Sequence, residues 1–469
     1  MTAKLDAVIA VNRFGLGARP GEIESAASTP REWLSAQLTP QRSDPDAFRS
    51  LASSADIFKQ FSAAQEARKE ARAERAQGDT TAAQIVDTVR KVLAPIYLDQ
   101  VAARYEAATE TTTPFRERLV HFWTNHFAVS ADKVAVIGLA ATLENEAVRA
   151  HLDGHFVDLL LAVESHPAMI LYLDNQASAG PNSRLAQVAA RRINSERKIG
   201  INENLAREIL ELHTLGVNGG YTQEDVTTFA KALTGWSVGG GKGRLAQGEP
   251  GRFCFRDPLH EPGAKVILGK RYSQDGLEQP RAVLKDLAKH SATAKHVATK
   301  LVRHFVGDDP PERAVAHVTK AFIKSDGHLP TVHRSLTELD EVWSVPFAKF
   351  KTPHDYVVST FRAFDFVPPE PKRIIAPFQL LGQRPYTPGS PAGWPDTAAR
   401  WDGPDALMQR IEWAAAVGNR AGNRVSPDDL AERVLGAALG DHTRTAISRA
   451  ASAAQGIALL LASPEFQRR

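Results

Sequence analysis

The chain has 469 residues, 43% of them hydrophobic and 24% charged, enough apolar material for a full core and a length that allows one to three domains. The formal net charge of +3 is small for that size, and no Lys/Arg block interleaved with aromatic residues occurs, so a nucleic-acid partner finds no support. The lone cysteine, Cys254, rules out an intrachain disulfide and a cysteine metal cage; inside the run RFCF it reads as a packed core residue.

Helix starts are announced repeatedly by Thr or Ser followed by Pro, at Thr29-Pro30, Thr113-Pro114, Thr352-Pro353 and Ser426-Pro427. The hydroxyl caps the first turn and the ring presets φ. They predict an all-α protein, a multi-helix body over residues 1–469 as a single domain, with one small β-hairpin insertion. The opening MTAKLDAVIAVNRFGLG lacks a charged n-region, a long apolar core and a small-residue cleavage site, which predicts a cytoplasmic chain. The longest apolar runs, FVDLLLAV and IALLLA, fall far short of the ~18 residues that span a bilayer, so no transmembrane segment is expected.

In chain order, residues 1–44 read as two short helices around RFGLGARPGE. Long helices follow to Thr112, and QEARKEARAERAQ, charged nearly all round, predicts a projecting helical arm within 60–110. Pro95 should kink or divide its helix. The helix opened at Thr113 carries His121, Trp123, Asn125 and His126; five residues apart, the two histidines point about 140° away from each other, so one can face a site while the other packs. After the helices of 141–175, the connection Ala177–Lys198 is a plausible lid.

From Asn202 a helix with Leu205, Ile209 and Leu212 on its apolar stripe ends at Gly216. Asn204, Glu208 and Glu211 share its opposite arc, and His213 falls in the apolar stripe, where a core histidine is the favoured reading. Thr222 and Asp225 make a capping box for a second helix, buried through Val226, Phe229, Ala230 and Leu233 and stopped by Gly235. Residues 238–272 then read as a Gly-rich loop plus a β-hairpin, with strands RFCFR and AKVILGKRY on either side of a turn at His260. The loop's GGGKG lacks the GxxxxGK[ST] spacing of a phosphate cradle and reads as a linker. Helices resume from Leu277 to Asp365, the Pro-rich segment 368–396 should wrap the core or rim a pocket, and helices near 404–417, 427–439 and 443–462 close the chain.

The string NENLAREILELHTLGVNGGYTQEDVTTFAKALTGW resembles the signature of an uncharacterised bacterial family, domain of unknown function 1800. RFGLGARPGE, HFWTNHFAVS, MILYLDNQAS, HEPGAKVILG, LVRHFVGDDPP, GWPD and LLLASPEFQ extend the resemblance over nearly the whole chain. It implies a mostly helical protein, often carrying a secretion signal, whose gene often sits beside that of a phosphatase- or sulfatase-like partner. That makes a periplasmic or secreted location the alternative to the cytoplasm. Because the resemblance falls on His126 and Phe127, it favours His126 over His121.

The candidate catalytic residues are Glu208, Glu211, His126 and His260. Two carboxylates and two imidazoles can ligate a divalent metal with a position left for water, although no HExxH or other ligand-spaced motif is present. Without metal, the same groups can do acid and base work. Asn202, Asn204, Arg207 and Trp236 are the candidate substrate-binding residues. The plainer reading makes the asparagines helix caps, pairs Glu211 with Arg207, packs the tryptophans and satisfies both histidines locally. Two functions follow. One is a hydrolase or transferase acting on an envelope or extracellular polymer, the polymer being implied by the resemblance; the other is a non-catalytic scaffold that binds the phosphatase- or sulfatase-like partner.

Overall fold

A computed structural model describes residues 3–40, 45–74, 82–190, 200–240 and 246–469. The four Thr/Ser-Pro pairs each open a helix, at Pro30–Ala36, Pro114–His126, Pro353–Phe364 and Pro427–Leu435. At Thr352 and Ser426 the hydroxyl accepts the amide of Asp355 at 3.2 Å and of Asp429 at 3.3 Å, satisfying an otherwise orphaned first-turn donor. The fold class is all-α, with two small two-stranded antiparallel sheets.

Two long helices, Ser54–Glu74 and Ala82–Glu110, pack on each other. The link 75–81 and nearly all side chains of the charged run 65–77 lie outside the described residues. The second helix runs through Pro95 undivided, and between Leu93 and Ala108 one face of it, including Leu93, Val101, Tyr105 and Ala108, is buried in the core. Of the connection read as a lid, Arg184–Ala190 forms a helix and 191–199 lie outside the described residues.

Six helices carry the cavity and the residues singled out by the sequence: α1 (Pro114–His126), α5 (Ser291–Phe305) and α6 (Pro353–Phe364) line the cavity described below, and α2 (Phe156–Glu164), α3 (Asn204–Glu208, continued by a π-turn over Ile209–His213) and α4 (Gln223–Leu233) hold Glu208, Glu211, His213 and their neighbours. Gly216 and Gly235 stop α3 and α4 at φ of 84° and 88°, as expected of left-handed caps. At Gly216 the bare Cα also admits a neighbour: an added Cβ would meet His296 Nδ1 at 2.8 Å, while His296 Nε2–H donates to the Leu212 carbonyl at 2.9 Å. The capping box forms as read, with Thr222 Oγ1 accepting the Asp225 amide at 3.1 Å and Asp225 Oδ2 accepting the Thr222 amide at 2.8 Å.

The strands pair differently from the expectation. β1 (Trp236–Val238) pairs antiparallel with β2 (Phe253–Phe255), whereas β3 (Lys265–Ile267) and β4 (Lys270–Tyr272) form a hairpin within AKVILGKRY itself. Leu268 and Gly269, at φ of 50° and 72°, close that hairpin with the two positive-φ residues of a tight turn. Asp225 Oδ1 secures it by accepting the Leu268 amide at 2.7 Å.

The last third holds further departures. The Pro-rich segment begins with a helix, Pro371–Leu380, and only beyond Gln383 becomes a wall. The stretch read as one helix over 443–462 is two, Asp441–Ser448 and Ala453–Ala462, the second capped by Ser452. Residues 349–351 pair with 467–469 through Lys349 and Lys351 amides, which brings the Arg469 side chain beside Asp355. One hydrophobic cluster runs through all of this, from Ala7 to Phe466.

Candidate functional site

A cavity of about 430 Å³ opens between α1, α5, the start of α6 and segment 383–397. Helical spacing supplies its walls. Arg118, His121 and Asn125 recur along one face of α1, and His126, although about 140° from His121 round the helix, lines the cavity too, so both histidines reach it where one was expected to pack elsewhere; Lys300, Arg303 and His304 sit at i, i+3 and i+4 on α5; His354 and Asp355 occupy the first turn of α6. The fourth wall is clamped to α1 by a reciprocal pair, Asn125 Nδ2–H donating to the Trp394 carbonyl at 2.9 Å and the Trp394 amide donating to Asn125 Oδ1 at 2.7 Å. Gly393, at φ of 82°, makes this approach feasible, since an added Cβ would sit on the Asn125 carbonyl oxygen.

In this cavity His304 Nδ1–H donates to Asp396 Oδ2 at 2.6 Å, which leaves Nε2 with its lone pair, 3.5 Å from Arg118 Nη1. Burial pulls the imidazole down to about 4 against the opposing pull of Asp396, so His304 is neutral near pH 7. Burial alone would raise Asp396, but His304, Lys349 and Arg469 outweigh it and hold the carboxyl below its ordinary value. An Asp-oriented neutral imidazole whose Nε2 lone pair meets only the long Arg118 contact is an arrangement that suits a general base, once a substrate or water displaces that contact.

A second line of titratable groups runs from the cavity into the core. Tyr105 O–H lies 3.2 Å from His354 Nδ1, His354 Nε2 lies 3.0 Å from His121 Nδ1, and Arg149 holds Glu117 through two bonds of 2.6 and 2.7 Å. His121 Nε2 stands 3.4 Å from Glu117 Oε1, a long contact rather than a formed hydrogen bond. Burial lowers both imidazoles, with His121 acting on His354 and Arg104 on both, so the pair is neutral. Glu117, which burial would raise, is kept ionised by Arg149.

Of the residues expected at a site, His126 alone lines the cavity. Its Nε2–H donates to the His213 carbonyl at 3.1 Å and Nδ1 has no partner; burial and then Lys300 hold it well below its ordinary value. The ring therefore packs on the backbone at the end of α3, not on the acidic arc of that helix. Glu208 is half-buried and raised by burial, and Glu211 accepts the Tyr221 O–H at 3.4 Å; neither lines the cavity. His260 Nδ1 bonds the Thr234 carbonyl at 2.9 Å beside Phe255, with no contact to the other three among the described residues.

Asn202, one residue before the N-cap Glu203, secures the helix start rather than a substrate: Oδ1 accepts the Asn204 amide at 2.9 Å and Nδ2 donates to the Leu173 carbonyl at 3.2 Å, while Asn204 is exposed. Arg207 pairs with Glu203 at 3.1 Å, not Glu211, and Trp236 is wholly buried against Phe253. His213, as its place in the apolar stripe predicts, is wholly buried, with Nδ1 2.7 Å from Glu164 Oε1 of α2. The expected metal centre does not assemble: among the described residues no group of three or more His, Cys, Asp or Glu side chains is placed to hold an ion.

The cavity residues that sequence reasoning passed over had one local signal each. KLVRHF carries Lys300, Arg303 and His304 on one helical face, TPHD places His354 and Asp355 in a first turn, and GWPD holds Asp396.

Fold and cavity together define a predominantly helical protein with a cation-rich chamber, in which no described helix is long and apolar enough to cross a membrane. The chain belongs to the family described as "Protein of unknown function (DUF1800)", whose model matches residues 9–468. No curated protein and no solved structure matches it.

Proposed function

We propose that the chain is an enzyme, a hydrolase or transferase, and that its chemistry takes place in this cavity. The observation that carries the reading is the His304–Asp396 dyad at 2.6 Å, a neutral imidazole with an unprotonated Nε2 inside a chamber large enough for a substrate group. His304 Nε2 takes the proton of a water or hydroxyl nucleophile, and Asp396 stabilises the imidazolium that forms. Lys300, Arg303 and Arg118 supply positive charge where negative charge develops. His126 keeps a place in the wall, whereas Glu208, Glu211 and His260 do not take part. An envelope or extracellular polymer as substrate is supported by the family resemblance alone.

The test is a screen of polymeric and small ester and glycoside substrates with wild type and His304→Gln, each checked for an unchanged melting temperature. Turnover that falls ~10²-fold or more in His304→Gln supports the reading. Turnover that survives it intact refutes the assignment of the base.

A second reading, a scaffold or accessory protein, is favoured by the exposed row Leu407, Met408 and Ile411 on the helix Pro404–Ala421. Co-purification with the phosphatase- or sulfatase-like partner, lost when that row is made acidic, would support it.

A further inference from the structure

We infer that the cavity is an oxyanion site, so that the substrate bears a carboxylate, sulfate or phosphate group which Lys300 and Arg303 hold beside His304. The inference rests on the enzymatic reading of the same cavity and adds to it the charge of the substrate.

The chamber holds positive charge that its own carboxylates do not take up. The three carboxylates at the chamber, Asp308, Asp355 and Asp396, are already engaged. Asp355 is shared by Arg118 at 2.8 Å and Arg469 at 3.0 Å. Asp308 takes Lys349 at 2.5 Å and the Ala398 amide at 2.7 Å. Asp396 takes His304 at 2.6 Å, with Lys349 at 3.6 Å and Arg469 at 3.8 Å.

Lys300 then makes no hydrogen bond or ion pair among the described residues, although it lines the chamber and burial weakens its hold on its proton. Arg303 donates only through Nε, to the Asp308 carbonyl at 3.3 Å, which leaves the forked end of its guanidinium without a partner among the described residues. Both cations are partly withdrawn from water, and Lys300 has only the already shared Asp396 as a counter-charge, so an anion entering the chamber adds the partner that neither has. A guanidinium fork and an ammonium one turn apart suit an oxyanion with two or three oxygens. A chamber of about 430 Å³ suits such a group attached to an organic body, with Trp394 as an apolar wall.

The test measures binding without turnover. Inorganic sulfate, inorganic phosphate, acetate and glucuronate are titrated into the whole chain at constant ionic strength set with chloride, and followed by calorimetry and melting temperature. Wild type is compared with Lys300→Met, Arg303→Gln and a surface control, Lys270→Met. Saturable binding of at least one oxyanion, weakened about tenfold or more in either cavity variant and unchanged in the surface control, is the expected result; the sulfate and phosphate arms against the acetate and glucuronate arms tell which chemistry is favoured. No saturable effect beyond chloride, or equal binding by the cavity variants, overturns the inference. Melting curves without anion establish that each variant is folded. His304→Gln should still bind the anion, so an anion site without a working base, and a working base without an anion site, are separate outcomes.

Discussion

Replacing Lys300 with methionine should stabilise the ligand-free protein. The amine lies in the wall formed by α5, facing Arg303 of the same helix, Asp396 of the opposite wall and His126 of α1. Burial brings it from 10.5 down to about 8; Asp396 acts against that and Arg303 with it. At ~1.4 kcal/mol for each tenfold loss of proton affinity, carrying the charge at pH 7 costs about 3 kcal/mol. Water in the open chamber screens the charge and makes this an upper bound.

Methionine keeps an unbranched apolar stem of similar reach and drops the charge. In the unfolded chain the lysine keeps its proton to ~10.4, while the folded protein releases it above about 8. Between those values the unfolded state binds more protons, so wild-type stability rises with pH there. Lys300→Met should therefore exceed wild type by a constant margin below pH 8, a melting temperature higher by up to roughly 3 °C for a chain of this size. The margin should close towards pH 10. Melts in chloride buffer at pH 7, 8.5 and 10 check this. A variant that melts at or below wild type at pH 7, or a gap that ignores pH, refutes the reasoning.

Glu117→Gln acts in the opposite direction: it leaves the wholly buried Arg149 guanidinium without its carboxylate, and chemical denaturation should show a loss of ~3–5 kcal/mol. A loss below ~1 kcal/mol would mean that the pair is not dry. Gly393→Ala forces a Cβ onto the Asn125 carbonyl at a φ of 82°, and should weaken oxyanion binding several-fold and shift the tryptophan emission as the Asn125–Trp394 clamp opens; unchanged emission and affinity would contradict the clamp. Glu208 is raised, chiefly by burial and further by Glu211, against the pull of His213 and Arg207, so the folded state binds the extra proton and stability falls as pH rises through that interval. Glu208→Gln should consequently melt higher than wild type at pH 7, with the difference shrinking on acidification below pH 5. A lower melting temperature at pH 7 would show that the carboxylate has a partner.

What could be read from the sequence was whatever is decided within a few residues. The Ser/Thr-Pro starts, the Thr222–Asp225 box and the glycine stops at 216 and 235 depend on hydrogen bonds and dihedrals confined to one turn; all four starts open a helix, with the hydroxyl cap formed at Thr352 and Ser426, and the box, the stops and the buried face of α4 form as read. His213 was legible for the same reason, because an apolar stripe states which way its side chain points.

The cavity was not, because its walls come from residues near 118–126, 300–304, 354–355 and 394–396, and no period links them. Dense polarity drew the reading to Glu208 and Glu211 instead. A helical wheel shows which residues share an arc, but not whether that arc faces a chamber or solvent. The π-turn over 209–213 also departs from the 100° step on which the wheel rests. The β pairing failed on a similar point: Leu268-Gly269 is not an Asn-Gly or Asp-Gly turn, and the Asp225 carboxylate that holds it lies far back along the chain.

That carboxylate has two oxygens with two different duties. One closes the first turn of α4 through the Thr222 amide, and the other fixes the β3–β4 turn through the Leu268 amide. Opening either structure therefore releases the acceptor that steadies its neighbour, and the helix start and the hairpin constitute one cooperative unit of local unfolding. In hydrogen exchange the amides of Thr222 and Leu268, bonded to Asp225 across 3 and 43 residues of chain, should report a common opening free energy.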